Sequence, residues 1–443
     1  MFRLEEHKEE TENKAIAKTV LPSRAYIPLS QHLGRICNPE VKIGDSVSTG
    51  QRIAAADARI YAPIHASLSG KVTSISDWPH PLLGRCKSII IQGDGQDKSQ
   101  IPNPKSQTDI ENLTPEQIRN IVFEAGIVGM GGAAFPTHIK LSPPSPVDTL
   151  IVNGTECEPY LTADYRLMLE KTKEILQGIE LVVKCLGVKK VYIAIEDNKP
   201  QAIEKFKIQN SPPLPKADAP LAQKAGPPSA EKFKIKVLKS QYPQGGEKQL
   251  TKNILGREVP QGKLPFDIGV VVHNVATVFA IYEAVYLGKP LYERVVTVTG
   301  DCLENPGNFL VRIGTPLSDL IAQCGPLKKK PEKIIFGGPM MGFAQYSLDT
   351  PVIKNTNGVI LFSNAEIKVA EEAACIRCSR CVEHCPLGLM PCLISLACQK
   401  ERWDAARSYG CLDCMECGLC DYVCPQRRNI VQAIKRAKAL LNR

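Results

Sequence analysis

The sequence lacks the long apolar run that a membrane-spanning helix needs. Its most apolar stretch, residues 268–282, is too short to cross a bilayer and contains His273 and Asn274. The opening residues, MFRLEEHKEETENK, are charged and contain no apolar stretch, so we expect no secretory signal. These absences predict a protein of a reducing compartment, which would meet a membrane only by docking against it.

Acidic residues are missing from residues 425–443, where lysine and arginine are frequent and add to the net charge of +9. Apolar residues recur there at helical spacing: Ile430, Val431, Ile434, Ala437 and Leu441. The segment is therefore predicted to be a basic amphipathic helix. Two roles stay open, a solvated helix that caps the preceding region and a contact with an acidic partner or anionic membrane. No basic groove with interleaved aromatic residues accompanies the charge, so nucleic acid is not an expected partner.

Cysteine, by contrast, is abundant: there are 17 in the chain, and most of them lie between Cys375 and Cys424. Residues 375–386 read CIRCSRCVEHCP and residues 414–425 read CMECGLCDYVCP. Both fit the pattern C-x2-C-x2-C-x3-C-P, in which three closely spaced thiolates bind three irons of a cubane. A zinc site is the alternative, but it usually takes separated C-x-x-C pairs. We therefore predict two [4Fe–4S] clusters.

The spacing also predicts which cysteines bind which cluster. In two-cluster ferredoxins the fourth cysteine of each run binds the other cluster. One cluster is therefore assigned to Cys375, Cys378, Cys381 and Cys424. The other is assigned to Cys385, Cys414, Cys417 and Cys420. The second cysteine motif could also be read from Cys411, three residues before Cys414. Only the motif read from Cys414 ends in Cys-Pro. Buried thiols near the clusters are predicted for Cys392, Cys398 and Cys411.

Short β-rich runs alternate with glycine and proline turns between Ala25 and Gly93. The runs NPEVKIGDSVSTGQRIA and APIHASLSGKV predict a small β-sandwich. The pattern resembles the barrel-sandwich hybrid of lipoyl and biotinyl carrier domains, which display a modified lysine on a hairpin tip. Here the corresponding turn, residues 61–65, reads YAPIH and has no lysine. We therefore expect this domain to be structural.

The middle of the chain is predicted to be an α/β layered domain with a largely parallel sheet. A polar linker, residues 94–112, precedes a helix with a Thr114–Gln117 capping box, and Gly126 marks the end of that helix. Beyond it, predicted strands and helices alternate at 149–153, 164–186, 191–195, 268–273 and 277–287. A proline-rich insertion, residues 210–230, is expected to be flexible.

A glycine-rich stretch, GIVGMGGAAFPTHIK at residues 126–140, follows the capped helix. Its glycines would let backbone amides approach a flat or phosphorylated ligand, with Lys140 as a counter-charge. It is not the dinucleotide fingerprint, because it follows a helix rather than a strand. Residues 150–166, LIVNGTECEPYLTADYR, place polar side chains at the end of a strand, where open α/β sheets bind ligands.

These stretches resemble the flavin- and NADH-binding subunit of respiratory complex I, whose loop reads GRGGAGFPTGxK and whose strand reads NADEGEP. The order of the parts resembles the C-subunit of the Rnf ion-translocating electron transport complex over essentially the whole chain. The resemblance implies a multidomain α/β plus β protein with four parts. These are a barrel-sandwich hybrid (1–100), an α/β FMN/NADH-binding-like domain (113–290), a β-grasp, SLBB-like module (291–345) and an α-helical ferredoxin-type domain with two [4Fe–4S] clusters (365–443).

The resemblance also implies cofactor contacts, residue by residue. The flavin phosphate and ribityl chain would be held by Gly129, Gly131, Gly132 and Lys140. The flavin would be contacted by Asn153 and Glu156, and the nicotinamide nucleotide by Phe135 and Glu158. Two later signatures of the family are matched by Gly246, Glu247, His273, Asn274 and Thr277.

The chain departs from the complex I pattern at four positions within these motifs. Thr155 stands where the family has aspartate, and Cys157 where it has glycine. Lys248 replaces a glutamate and His273 replaces an asparagine. Each position belongs to a motif expected to bind flavin or nucleotide, so the departures bear on whether the cofactor is bound.

The function implied by the resemblance is electron entry, in which NADH reduces FMN and single electrons leave through two [4Fe–4S] clusters. This activity would belong to an ion-translocating NAD:ferredoxin oxidoreductase. Its partners would be NADH and the other subunits of a membrane-embedded complex, including a ferredoxin-like subunit, with a peripheral location on the cytoplasmic face of the bacterial inner membrane. The alternative is an iron–sulfur relay and docking subunit whose α/β domain no longer binds flavin or NADH.

Overall fold

The computed structural model describes residues 2–99, 107–210, 233–367 and 371–441. Within these ranges the strands form four sheets, which have six, four, four and three strands. No helix in the described ranges is long and apolar enough to cross a bilayer. The predicted proline-rich insertion lies outside the described residues, except for Asn210, which ends a helix.

Two antiparallel sheets form the N-terminal part, as predicted. The larger has the spatial order Arg24–Pro28, Gly84–Gly93, Gly70–His80 and Ser46–Val47. The smaller has the order Asn38–Pro39, Arg52–Ala55 and Ile64–His65. Both contribute isoleucines to one core. Residues 61–65 are largely buried in it, so this turn does not project as a carrier arm would.

The predicted capping box begins the first long helix, Pro115–Glu124, which follows a short helix at Gln107–Glu111 in the predicted linker. The Thr114 side chain accepts from the Gln117 amide at 3.2 Å, and the Gln117 side chain accepts from the Thr114 amide at 2.8 Å. Gly126 has a φ of 65°, the left-handed conformation that glycine adopts without strain. Both signals therefore act as the sequence predicts.

A four-stranded parallel sheet forms the centre of the molecule, as predicted. Its spatial order is Lys234–Leu238, Lys190–Glu196, Thr149–Gly154 and Val270–Asn274. The helices that accompany it are Thr137–Lys140, Ala163–Glu170, Thr172–Leu186, Pro200–Asn210, Glu247–Leu255 and Val275–Leu287. Because all four strands are parallel, their carboxyl ends lie along one edge of the sheet.

Two predicted elements of this region need correction. The single helix predicted over residues 164–186 is two helices, which meet at Lys171. There the Thr172 hydroxyl donates to the Met168 carbonyl at 2.6 Å, a local bond that competes with regular helix geometry. The strand predicted from Ile268 starts at Val270, because Pro265–Ile268 forms a 3-10 turn that ends at Gly269.

The six-stranded sheet contains the predicted strand–strand–helix module and adds strands from elsewhere. Its spatial order is Ile16–Lys18, Gly307–Arg312, Glu293–Thr299, Gly358–Phe362, Lys333–Phe336 and Phe343–Ala344. The helix Leu317–Ala322 lies between its strands in sequence and contributes Leu317 and Leu320 to its core. The edge strand Ile16–Lys18 was not predicted, since its pairing partner is nearly three hundred residues away.

The cysteine-rich end is helical, as predicted. Its helices are Arg380–Glu383, Pro391–Gln399, Trp403–Ser408, Leu419–Tyr422 and Ile430–Leu441, with a 3-10 turn at Cys411–Asp413. The last helix buries Ile430, Val431, Ile434 and Ala437 in the core that these helices share. The basic segment therefore caps the cysteine-rich region, as one of its two predicted roles requires.

Candidate cofactor and electron-transfer site

A cavity of about 350 Å³ lies at the carboxyl edge of the central parallel sheet. This is the edge at which open α/β sheets bind ligands. All of the residues predicted to contact cofactor line it: Gly129, Gly131, Gly132, Phe135, Lys140, Asn153, Thr155, Glu156, Glu158, Gly246, Glu247, His273, Asn274 and Thr277. We refer to this space as the central cavity. Motifs from four separate stretches of the sequence therefore share one site.

The glycine-rich loop forms one wall of the central cavity and is bonded to the helix Val275–Leu287. The Met130 amide donates to the Thr277 hydroxyl at 2.9 Å. A Cβ on Gly131 would lie 2.8 Å from the Asn274 side chain, so this position has room only for glycine. A Cβ on Gly132 would meet nothing within 4 Å. Gly131 thus brings the loop close to Asn274, while Gly132 faces open space.

The helix Val275–Leu287 begins at this cavity, with Asn274 as its N-cap. The Asn274 side chain accepts from the Ala276 amide at 2.8 Å and donates to Asp164 at 2.6 Å. Burial and the neighbouring Glu156 raise the pKa of Asp164. The start of a helix carries partial positive charge and free amides, which favour an anion.

The loop of residues 155–158 forms the opposite wall. Asn153 accepts from the Thr155 amide at 3.2 Å and from the Thr155 hydroxyl at 2.8 Å, and its own amide donates to the Gly245 carbonyl at 2.9 Å. The Glu156 carboxylate accepts from the amides of Asp164 and Tyr165 at 2.7 and 2.9 Å. Both carboxylate oxygens of Glu156 are therefore used to cap the helix Ala163–Glu170.

Two buried lysines hold this loop from beneath, and sequence reasoning missed both. Lys199 donates to the Thr155 carbonyl at 2.6 Å, and Lys8 donates to the Glu156 carbonyl at 2.6 Å. Lys199 also pairs with the buried Glu196 at 2.9 Å. Burial and the nearby Lys199 lower the pKa of Lys8. Lys8 lies on an N-terminal segment that is held by backbone hydrogen bonds between Phe2 and Tyr242. The sequence around Lys8 gives no sign of this placement.

The cation on the cavity wall is Lys140, and its ammonium is already paired. It donates to Glu247 at 2.8 Å and to the Val272 carbonyl at 2.6 Å. Next to this carbonyl in sequence lies His273, which is 2% exposed. Burial and Lys140 lower the pKa of His273 well below its ordinary value, so the ring is neutral. Its Nε2 is buried and has no hydrogen-bond partner within the described part of the chain, which is unusual for a buried polar atom.

Glu158 joins the central cavity to the module that follows it in sequence. Its carboxylate accepts from the amides of Met340 and Met341 at 3.2 and 2.9 Å and from the Tyr242 hydroxyl at 3.4 Å. Burial raises the pKa of Glu158 from 4.5 to about 7. The side chain therefore exchanges a proton near neutral pH while holding the loop that contains both methionines.

We expect Glu158→Gln to change how stability depends on pH. Between about pH 4.5 and 7 the folded chain keeps a proton that the unfolded chain has lost, so wild-type stability falls as the pH rises through this window. Glutamine cannot titrate. The variant should therefore gain about 3 kcal/mol relative to wild type between those pH values, as measured by anaerobic denaturant titrations. Glu204→Gln, on an exposed helix face, serves as the control. Parallel pH profiles of the Glu158 variant and wild type would contradict the assignment.

A second cavity, of about 480 Å³, adjoins the central one. The two share wall residues, namely Gly131, Gly132, Ala133, Glu158, Met341, Asn357 and Met415. The second cavity is also lined by Leu33 and Leu82 of the N-terminal part, by Phe343, and by Lys435 and Lys438 of the last helix. Parts from both ends of the chain therefore enclose it.

Four of the predicted cluster ligands surround a third space, which we call the cysteine pocket. These are Cys385, Cys414, Cys417 and Cys420, the set predicted for one cluster. The rest of the wall is largely apolar, including Leu387, Leu389, Ile394 and Val431. Burial raises the pKa of Cys414 to about 11 and that of Cys417 to about 12. Cys398 and Cys411 are buried, as predicted, and neither lines the pocket. The prediction was wrong for Cys392, which is only partly buried.

The four cysteines predicted to bind the other cluster line none of the three spaces described above. Burial and the thiols of Cys392 and Cys424 together raise the pKa of Cys381 to about 11, so Cys381 has both neighbours close by. Cys375 is partly buried and Cys378 is exposed. The Ala373 amide donates to the Gln426 carbonyl at 3.1 Å. This bond holds the segment just before Cys375 beside the segment that follows Cys424. Over the described ranges no group of three His, Cys, Asp or Glu side chains is placed to hold a single metal ion.

Met415 belongs to the walls of the cysteine pocket, the central cavity and the second cavity. It follows Cys414 directly in the sequence. The Met415 methyl carbon packs directly against Gly246, where a Cβ would force the methionine side chain to shift. Lys248, where the family has glutamate, pairs with Asp413 at 3.3 Å and does not line the central cavity. The central domain and the cysteine-rich region therefore meet at the cavity wall.

Three family models match the chain. The Nuo51 FMN-binding domain matches residues 122–283, the RnfC barrel sandwich hybrid domain matches residues 2–96, and the SLBB domain matches residues 295–344. The first of these covers the glycine-rich loop, the loop of residues 155–158 and the helix that starts after Asn274. The parts of the chain thus match known families in the order that the sequence motifs predict.

Similar proteins align over most of the chain. The C-subunit of the proton-translocating ferredoxin:NAD(+) oxidoreductase complex of Clostridium ljungdahlii is 45% identical, over 98% of this chain and 92% of that protein. The C-subunit of the Na(+)-translocating ferredoxin:NAD(+) oxidoreductase complex of Acetobacterium woodii is 42% identical, over 94% of this chain and 90% of that protein. The C-subunit of the ion-translocating oxidoreductase complex of Rhodobacter capsulatus is 44% identical, over 87% and 72%.

Proposed function

The chain belongs to the C-subunit family of ion-translocating ferredoxin:NAD(+) oxidoreductase complexes, the Rnf family, and we propose from this premise that its central cavity binds FMN and accepts reducing equivalents from NADH. The protein is an electron-transfer subunit of an oxidoreductase complex. One observation carries the proposal: the cavity that collects every predicted cofactor residue shares Met415 with the cysteine pocket.

The residues of the central cavity fit FMN. Its phosphate would lie at the start of the helix Val275–Leu287, near Thr277 and Lys140, where amides, helix dipole and ammonium favour an anion. Gly132 leaves open space for the ribityl chain and the ring. Asn153, Thr155, Gly246, Glu247 and the unpartnered His273 would border the flavin. Bound FMN would supply the exchange between a two-electron donor and one-electron acceptors.

Glu156 takes a different role in this proposal from the one the resemblance implies. Because both carboxylate oxygens cap a helix, Glu156 would meet the flavin through its backbone rather than its side chain. The left-handed φ of 48° at Glu156 sets the direction of this backbone. Lys8 and Lys199 donate to the carbonyls of Glu156 and Thr155 and so fix the backbone of this loop. Phe135 and Glu158 would face the nicotinamide nucleotide.

The cysteine-rich region would hold two [4Fe–4S] clusters. Four thiols around one largely apolar pocket are the donor set that such a cluster takes, which supports binding by Cys385, Cys414, Cys417 and Cys420. The second cluster would take Cys375, Cys378, Cys381 and Cys424. The burial that raises the pKa values of Cys414 and Cys417 would be offset by the positive charge of iron, which stabilises thiolates.

The departures from the complex I pattern do not close the central cavity. Thr155 makes the hydrogen bonds that tie its loop to Asn153. Lys248 forms an ion pair with Asp413, so its charge is used in a contact between the central domain and the cysteine-rich region. His273 is a buried, neutral ring, so it adds no charge to the cavity. These placements favour the flavin-binding function over the alternative of a docking subunit with a disused α/β domain.

The wider setting follows from the family. We propose that the chain docks peripherally on membrane-embedded subunits at the cytoplasmic face of the bacterial inner membrane and exchanges electrons with a ferredoxin-like subunit. The last helix contributes to the core of the cysteine-rich region through Ile434 and Ala437. Any contact with partners would therefore use its outer charges, such as Arg436, which pairs with Glu401 at 2.6 Å on the surface.

Lys140→Ala is expected to weaken FMN binding about ten- to hundredfold, because it removes a charge-assisted contact to the phosphate. Glu247→Gln should instead strengthen FMN binding, since it releases Lys140 from an ion pair of 2.8 Å. The matched control is Lys252→Ala. Lys252 lies on the same helix as Glu247, and this substitution breaks its exposed ion pair with Glu258. Flavin fluorescence titration measures all three. An unchanged dissociation constant for Lys140→Ala would remove this lysine from the site.

A further inference from the structure

We infer that the second cavity binds the adenosine diphosphate half of the nicotinamide nucleotide and that Lys435, on the cysteine-rich helix Ile430–Leu441, binds its pyrophosphate. The choice of ligand rests on the proposed function, since it takes the nicotinamide end to lie in the central cavity. The three family models described above match stretches within residues 2–344, whereas Lys435 lies in the cysteine-rich region.

The position of the second cavity supports this ligand. It shares walls with the central cavity along Gly131–Ala133, Glu158 and Met341, so a molecule extending from the central cavity would enter it. Its volume, about 480 Å³, falls within the roughly 300–1,000 Å³ typical of small-molecule sites. A dinucleotide has two halves joined by a flexible pyrophosphate, which matches two adjoining spaces.

The charges in the second cavity favour an anion at Lys435. Among the described residues, four charged side chains line it: Lys435, Lys438, Glu416 and Glu158. Lys438 is held by Glu416 at 2.6 Å and by the Cys414 carbonyl at 2.8 Å, and Glu158 is held by backbone amides. Lys435 is partly buried and forms no ion pair within 4.0 Å among the described residues, although the more distant carboxylates of Glu416 and Asp421 also act on its charge. Its ammonium lies 4.0 Å from the centre of the Phe343 ring, which orients it without neutralising it.

The remaining walls suit a nucleoside. Leu33, Leu82 and Phe343 are apolar and between 37% and 52% exposed, so they offer a surface on which a base can rest. Asn355, Thr356 and Asn357 also line this cavity, and their side chains are of the type that hydrogen-bonds to ribose hydroxyls. Apolar walls with a few polar groups and one unpaired cation are typical of a nucleotide subsite.

The test uses full-length protein, anaerobically reconstituted with iron, sulfide and FMN, and ADP-ribose as the probe of this half of the ligand. Lys435→Met keeps the aliphatic packing on Phe343 and removes the charge. It should raise the dissociation constant of ADP-ribose by about tenfold and raise the KM for NADH similarly, with kcat, FMN affinity and iron content unchanged. Lys435→Arg should restore most of the affinity. Arg436→Met, the same change one residue away on the surface, should have no effect.

The outcomes separate this inference from the proposed function. If wild-type protein does not bind ADP-ribose, or if Lys435→Met binds it as tightly as wild type, the inference is overturned, whether or not NADH reduces the flavin. Binding of a polyglutamate peptide in place of ADP-ribose would also overturn it and assign the cavity to an acidic protein segment. If ADP-ribose binds through Lys435 but NADH does not reduce the flavin, the subsite stands and the proposed function fails.

Discussion

Replacing Cys417 by serine is expected to lower the iron content of the reconstituted protein from about eight to about four per chain. Cys417 lines the cysteine pocket together with Cys385, Cys414 and Cys420. Serine is a poor iron ligand at this position, so one cubane should be lost while the other remains. Iron and acid-labile sulfide analysis after anaerobic reconstitution measures this directly.

Cys398→Ser and Cys411→Ser are the matched controls for this substitution. Both thiols are buried in the same core, with exposures of 2% and 0%, but neither lines the cysteine pocket. Both variants should therefore keep about eight irons. Cys411 is the sharper control, because it opens the second sequence frame three residues before Cys414. A loss of about four irons in Cys411→Ser would show that the assigned frame is wrong.

Gly132→Val is expected to abolish measurable FMN binding while the protein stays folded. A Cβ on Gly132 meets no protein atom within 4 Å, so the valine side chain would project into the central cavity and occupy the space of the ligand. The loss should exceed a hundredfold in affinity, or about 3 kcal/mol, because a steric clash removes several contacts at once. Flavin titration reports binding, and the thermal midpoint reports the fold.

Gly131→Val separates steric exclusion of the ligand from damage to the protein. A Cβ on Gly131 would lie 2.8 Å from the Asn274 side chain, so this variant should lose stability as well as flavin. Gly132→Ala should fall between wild type and Gly132→Val in affinity with no change in stability. If Gly132→Val bound FMN as wild type does, the glycine-rich loop could not form the flavin wall.

Local signals in the sequence were sufficient for much of the fold. The capping box at Thr114 and Gln117 acts as predicted, because its bonds join residues three positions apart. The parallel central sheet followed from alternating strands and helices. Residues of the central cavity were found because motif resemblance links Gly129, Asn153 and Asn274, which no local pattern could bring together.

What the sequence could not predict depends on contacts between distant residues. Lys8 reaches the Glu156 carbonyl across 148 positions, and nothing around Lys8 in the sequence distinguishes it from a surface lysine. The strand Ile16–Lys18 is too short to show a period and is defined by its partner strand, Gly307–Arg312. The second cavity has walls from both ends of the chain, so only the folded structure identifies it.

The most direct test of the central claim is a single anaerobic titration of reconstituted wild-type protein with FMN and then NADH. We expect about one FMN to bind per chain, and NADH then to bleach the flavin absorbance and the iron–sulfur absorbance together, since the central cavity and the cysteine pocket share the Met415 wall. Protein that carries its clusters but binds no flavin under FMN-saturated, reducing conditions would contradict the account and favour an iron–sulfur docking subunit.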